Sequence, residues 1–299
     1  MSSHSTAIRV NDLYKSYGAT PALQGLDFEI PSGRLTGFLG PNGAGKTTTF
    51  RAILGLTRPN RGDIEVLGLP VPSRLADLVK KVGVIVEEPG LIKALSGLVN
   101  LRIAADTLGF GHDRIEEMLD FVGLAGDAGR RAEEYSKGMR QRLALAAAML
   151  GDPEILLLDE PLDGLDPAGQ LAFRARLRTL ADGGKTVVVS SHNLTDIEAL
   201  ADYVVVIDEG RLVSQGPLEL LLGDRRTRVV ADDVAGAVRV LASAGLESHV
   251  DGEGILVESS DGSAIVRALA GDGIYPSVVR PARHTLETVF LGLTGEGGP

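Results

Sequence analysis

The sequence predicts an α/β fold with a β-rich start, a helical insert and a second, smaller α+β domain. A glycine-rich turn, Gly40 to Thr47, stands between a predicted strand and a predicted helix. The apolar runs Ile155 to Leu158 and Thr186 to Val189 show no alternation, which fits strands buried on both faces of a parallel sheet. Past the polar, basic stretch Gly223 to Arg226 the texture shifts to short strands alternating with short helices.

Taken along the chain, Ala7 to Val10, Ala22 to Ile30 and Arg34 to Leu39 read as strands, separated by the turn signals Tyr17-Gly18 and Pro31-Ser32-Gly33. The glycine-rich turn follows the third of them and leads into a helix from Lys46 to Gly55. Val82 to Pro89 reads as a loop joining the core to a helical stretch, Leu91 to Glu134. There Ile115, Met118, Leu119 and Val122 recur at helix spacing, with breaks at Gly109, Gly111 and Gly123. After the two buried runs, Tyr203 to Ile207 ends at Asp208-Glu209-Gly210-Arg211, a hairpin signal leading into Leu212 to Ser214.

Beyond the linker the expected order is strand (Thr227 to Ala231), helix (Asp233 to Ala244), strand (Glu247 to Val250) and strand (Ile255 to Glu258). A helix (Gly262 to Leu269), a strand (Ile274 to Arg280) and a final helix (Thr285 to Leu293) follow. That is the β-α-β-β-α-β order of a ferredoxin-like unit with one added helix.

Composition narrows the functions. The 299 residues are 44% hydrophobic, enough for a packed core, and with 4% aromatics and no Trp its volume comes mainly from Leu, Val, Ile and Ala. A net charge of -10, with no basic run longer than a pair, argues against nucleic acid as a partner. With no cysteine, disulfides and thiolate chemistry are excluded, which suits a reducing compartment. Met1 to Ile8 is polar, and the longest apolar run, Leu143 to Leu150, falls far short of the roughly 18–20 residues that span a bilayer. Any role at a membrane therefore needs a span supplied by another chain.

Gly40-Pro41-Asn42-Gly43-Ala44-Gly45-Lys46-Thr47 fits G-x-x-x-x-G-K-[ST] in its required strand-to-helix setting. Glycines let backbone N–H groups curl around phosphates, Lys46 reaches the β and γ phosphates, and the Thr47 hydroxyl can ligate magnesium. Asp159 and Glu160 close the run Ile155 to Leu158, at the strand end where open α/β sheets bind ligands. Asp159 suits a metal, and Glu160 is placed to polarise an attacking water.

Between those sites, Tyr135-Ser136-Lys137-Gly138-Met139-Arg140-Gln141-Arg142 resembles the signature sequence of the ATP-binding cassette (ABC) family. Pro161-Leu162-Asp163-Gly164-Leu165-Asp166-Pro167 resembles its D-loop, and Ser190-Ser191-His192 its switch histidine after a strand. The resemblance covers residues 7 to 222 and implies a P-loop NTPase cassette: mixed sheet core, antiparallel β subdomain and a helical insert over about 90–134. The domains would then be 1–222, the nucleotide-binding domain, and 223–299, a small accessory domain.

The resemblance implies ATP and Mg2+ as ligands, Lys46, Glu160 and His192 in catalysis, and Thr47, Asp159 and Glu87 around the metal. It places Tyr17 on the adenine and the loop from Gly40 to Thr47, with Thr48, on the phosphates. Ser136 and Gly138 would reach the γ-phosphate held by a second copy in a head-to-tail dimer, and Asp166 would work at the subunit boundary. Departures from the family pattern are Glu87 where glutamine is common, and Lys137 and Met139 in place of glycine and glutamine. The segment Arg283 to Leu291 resembles the tail of daunorubicin-resistance-type and bacitracin-export-type subunits, which implies export through a separate transmembrane permease at the cytoplasmic face of the membrane. The alternative is a soluble ABC-type ATPase of translation or DNA maintenance. The single cassette, the missing heptad run and the negative charge argue against it.

Overall fold

Alternation at the start of the chain builds a half-buried antiparallel sheet. In the computed structural model, which describes residues 6–86, 90–222, 226–252, 254–282 and 285–294, β1 (Thr6–Tyr17) buries Ile8, Val10 and Leu13. Strand β2 (Thr20–Pro31) buries Leu23, Leu26, Phe28 and Ile30 between polar neighbours. Then β3 (Leu35–Leu39), buried at every position, enters a different sheet and delivers the chain through the glycine-rich turn to α1 (Lys46–Ile53). Strands β4 (Arg61–Val66) and β5 (Leu69–Val71) return to the first sheet, whose order is β2-β1-β4-β5.

After the short α2 (Leu75–Leu78), β6 (Val82–Ile85) corrects the sequence expectation of a loop here. Its burial alternates, and it pairs in parallel with a strand that begins at Ile155. Four residues interrupted by Gly83 carry too little pattern to reveal a strand whose partner lies so far along the chain. The insert is helical in α3 (Gly97–Leu108) and α4 (Ile115–Val122), followed by two 3-10 turns and then α5 (Lys137–Met149). Ile115, Met118, Leu119 and Val122 are all buried.

The central sheet is completed by β7 (Ile155–Leu158), α6 (Pro167–Asp182), β8 (Thr186–Ser191), α7 (Leu194–Glu198), β9 (Tyr203–Asp208) and β10 (Arg211–Pro217). Its order is β10-β9-β3-β8-β7-β6. All of it is parallel except β10, which forms a hairpin with β9, so the sheet is mixed. The unalternating runs in β7 and β8 are buried throughout. Register aligns Leu39 with Ser191 and Leu158 with Val189, so the loops after β3, β7 and β8 emerge at one end of the sheet. Phe28, Phe38 and Phe50 stack with centroids 5.3 and 5.5 Å apart, joining β2, β3 and α1 into one core.

The chain divides into two compact units, residues 1–218 and 219–299, and the short α8 (Leu218–Leu221) contains the division. The second unit holds β11 (Thr227–Val230), α9 (Val234–Ser243), β12 (Ser248–Asp251), β13 (Gly254–Val257), α10 (Gly262–Gly271), β14 (Val278–Pro281) and α11 (Leu286–Thr294). Its antiparallel sheet has the order β12-β13-β11-β14. Asp233 and Asp261 cap α9 and α10, accepting from Gly236 N–H at 2.8 Å and Ala264 N–H at 2.9 Å. Val229, Leu241, Ile255, Val257, Ile265 and Leu269 form a separate core.

Phe38 is the middle ring of the aromatic stack and is fully buried. Its replacement by alanine is expected to lower stability by about 3–5 kcal/mol in a guanidinium titration.

Candidate active site

The turn after β3 is held by backbone, and backbone dictates its residues. A Cβ at Gly40 would sit 2.4 Å from the Ile207 carbonyl oxygen at the end of β9. Gly45 has φ 102°, and a Cβ there would lie 2.8 Å from the Ala22 carbonyl oxygen. Only glycine fits this conformation and this approach. Ala44 N–H donates back to Pro41 O at 3.2 Å, and Gly210 N–H donates to Ala44 O at 3.0 Å, tying the turn to the β9–β10 hairpin. No side chain caps the start of α1, so the N–H groups of its first turn are served by nothing of that kind and carry the positive end of the helix dipole.

Side chains then converge. Lys46, 7% exposed, donates to Gly40 O at 2.8 Å and Pro41 O at 3.2 Å, and its Nζ lies 3.3 Å from Glu160 Oε1. The other oxygen of that carboxylate, Oε2, lies 3.0 Å from His192 Nδ1. The result is a carboxylate shared between an ammonium and an imidazole. Beside it Thr47 Oγ1 donates to Asp159 Oδ2 at 2.8 Å, while Asp159 Oδ1 accepts from Ser190 Oγ at 2.5 Å. Ser190 Oγ in turn accepts from Glu160 N–H at 2.8 Å. Glu160 takes φ 46°, a left-handed conformation unusual outside glycine, as the chain turns away from β7.

Lys46, Thr47, Asp159, Glu160 and His192 are thus brought together from the start of one helix and the two loops after β7 and β8. Thr48 lies in α1, one residue further on. Tyr17 ends β1 with its ring half exposed, and Lys15 Nζ stands 5.0 Å from the ring centroid. A hydrogen bond with Thr57, supported by Thr48 and Arg51, holds its hydroxyl below the usual tyrosine range. Through Thr48 the ring is connected to the helix that carries the phosphate-type loop.

Ser136 and Gly138 keep different company. Ser136 is the N-cap of α5, its Oγ accepting from Met139 N–H at 3.2 Å. Lys137 Nζ lies 3.2 Å from Asp163 Oδ2, and a Cβ on Gly138 would meet Leu165 at 3.6 Å. Lys137 and Gly138 thus neighbour the segment 163–165, while Ser136 bonds within its own helix. Asp166 caps α6 by accepting from Gly169 N–H at 3.0 Å. Glu87 lies outside the described residues. Ser190 is the site residue that sequence reasoning passed over, since in the sequence it is only a hydroxyl at the end of an apolar run.

Chemically, the turn and Lys46 offer N–H groups and a cation to an anion. Glu160, next to an imidazole and at the mouth of the same turn, offers a base to a water molecule.

Known proteins share this plan. The ABC transporter family model matches residues 23–163. The chain is 41% identical over 308 residues to a bacitracin transport ATP-binding protein of Bacillus licheniformis, covering 98% of this chain and 99% of that protein. It is 37% identical over 305 residues to a daunorubicin resistance ATP-binding protein of Streptomyces coeruleorubidus, covering 97% and 96%. Among solved structures, the ATP-binding subunit of an ABC transporter superposes with a TM-score of 0.66 at 30% identity, covering 72% of this chain and 92% of that one.

Gly45→Ala forces a strained φ and a backbone clash into the turn. It is expected to abolish retention on immobilised ATP and to lower the melting temperature.

Proposed function

The chain belongs to the ABC transporter family, as an ATP-binding and ATP-hydrolysing subunit, and on that premise we propose how its residues divide the work and what they drive. The observation that carries the reading is Glu160, gripped between Lys46 at 3.3 Å and His192 at 3.0 Å beside the phosphate-type turn.

Arriving ATP competes for Lys46. Its phosphates accept from free N–H groups of the turn and of the first turn of α1, and from the ammonium, which exchanges Glu160 for phosphate. Tyr17 stacks on the adenine. Glu160, relieved of the lysine and still beside His192, takes a proton from the attacking water. The water oxygen bonds to the γ-phosphorus as the bond to the ADP oxygen breaks. His192 keeps the carboxylate oriented and contacts the γ-phosphate.

The Thr47 hydroxyl and the Asp159 carboxylate set hard oxygen donors side by side, a donor pair that fits Mg2+. Glu87 is the third residue assigned to it. Bound there with ATP, the ion would supply charge neutralisation to the phosphates. Ser136 and Gly138, at the start of α5, serve the ATP of a second copy in a head-to-tail dimer.

Family members work with transmembrane subunits, and among the described residues no helix is long and apolar enough to cross a membrane. We assign the partner's seat to an open apolar groove in the first unit. Two adjoining cavities of about 490 and 520 Å³ share Leu56, Val84, Ala104, Leu108 and Ala147 as lining, and Leu56 is 69% exposed. The relatives named for bacitracin transport and daunorubicin resistance favour export of a drug- or antibiotic-like molecule, with this subunit at the cytoplasmic face. In the second unit, the element order and the sheet order β12-β13-β11-β14 support a ferredoxin-like accessory domain for dimer contacts or regulation.

Lys46→Ala is expected to reduce ATP turnover to background. Glu160→Gln should bind ATP at least as tightly as the parent, because the lysine loses a charged competitor, and should accumulate an ATP-bound dimer on size exclusion. Turnover by Glu160→Gln at the parent rate would remove the assigned role. The same Glu160→Gln protein, tagged and recovered from its own cells' membranes with ATP and Mg2+, should bring down a multi-spanning membrane protein. Adding Leu56→Asp should lose that partner and keep ATP binding. Recovery of soluble partners alone would move the ATPase to another process.

A further inference from the structure

The hydroxyl of Ser190 is fully buried at the penultimate position of β8, beside Phe38 of β3 in the register. A hydroxyl so placed must spend its bonds inside the protein, and where they go is informative. Both go to the acidic pair. Glu160 N–H donates to Ser190 Oγ at 2.8 Å, and the hydroxyl proton goes to Asp159 Oδ1 at 2.5 Å. The second oxygen of Asp159 is taken by the Thr47 hydroxyl at 2.8 Å.

One side chain therefore reaches both acids, by different routes. It fixes the rotation of the Asp159 carboxylate by holding one oxygen while Thr47 holds the other. It also pins the backbone of Glu160 in the left-handed conformation, φ 46°, in which the side chain meets Lys46 and His192. We propose that Ser190 is a positioning residue that sets the geometry of both acids at once, so that the donors for the divalent cation and the base for the attacking water are aligned by a single hydroxyl. The inference rests on the roles given above to Asp159 and Glu160.

The test uses the full-length protein with steady-state ATP hydrolysis and, separately, equilibrium binding of a fluorescent ATP analogue in EDTA and in Mg2+. Ser190→Ala is expected to lower kcat about 10- to 100-fold with KM for ATP within about twofold of the parent, the range seen when a partner that orients a ligating group is lost. In EDTA its affinity should match the parent; the gain in affinity on adding Mg2+ should shrink. Ser190→Thr, which keeps the hydroxyl, should restore kcat to within about threefold. Should Ser190→Ala fail to fold, Ser190→Cys keeps the size and offers only a weak donor, and its kcat should fall in the same way.

A folded Ser190→Ala or Ser190→Cys protein with parent kcat and a parent Mg2+ response would overturn the proposal. Equal loss of affinity in EDTA and Mg2+ would also overturn it, as that marks general damage. Lys46→Ala run alongside separates the two levels. If it turns over ATP at the parent rate, the site assignment itself fails, whatever Ser190 does.

Discussion

The arrangement depends on a close approach of backbone to backbone. In the turn after β3, a Cβ at Gly40 would lie 2.4 Å from Ile207 O and one at Gly45 would lie 2.8 Å from Ala22 O of β2. Hydrogen bonds from Gly210 N–H to Ala44 O at 3.0 Å and from Gln24 N–H to Gly210 O at 2.9 Å close the circuit. The turn is thereby clamped among β2, β3 and the β9–β10 hairpin. A backbone fixed in this way loses less conformational freedom when a ligand binds against it.

Packing and charge support that clamp from below and beside it. The rings of Phe28, Phe38 and Phe50 tie the antiparallel sheet, the mixed sheet and α1 into one core, so the helix that bears Lys46 and Thr47 cannot shift independently of the strand before it. The parallel register of β3, β8 and β7 brings Leu39, Ser191 and Leu158 to one edge, and the loops beyond them carry the charged groups. Buried Lys46 and Asp159 are each held by more than one partner, as charges in such places must be.

Chemistry that is contiguous in the chain could be read from the chain. The turn from Gly40 to Thr47 and the run ending in Asp159 and Glu160 declare themselves because spacing and residue type suffice. Ser190 does not, because its meaning comes only from the neighbour that register assigns to it: an adjacent strand whose acids lie some thirty positions earlier, with β7 and β8 separated by α6. Strand β6 is hidden for a similar reason, as its pattern is short, broken by Gly83, and completed by β7. Tyr17 is legible as an aromatic near a turn; the nearness of its hydroxyl to Thr57 and Thr48 is a product of folding. In the second unit strand and helix order were legible, while β14 begins at Val278 rather than Ile274, whose N–H instead caps the preceding helix at Leu269 O, 2.9 Å away.

Glu160 sits where a side chain is poorly tolerated. A left-handed backbone at a non-glycine residue carries a penalty of roughly 1–3 kcal/mol, and here the residue bearing it is the one assigned to hydrolysis. Folding and turnover therefore select in opposite directions at this position. In a lineage where a sister copy performs the hydrolysis, drift at Glu160 toward glycine or asparagine would be favoured by stability alone. Loss of activity would then be an accessible route to a sturdier subunit.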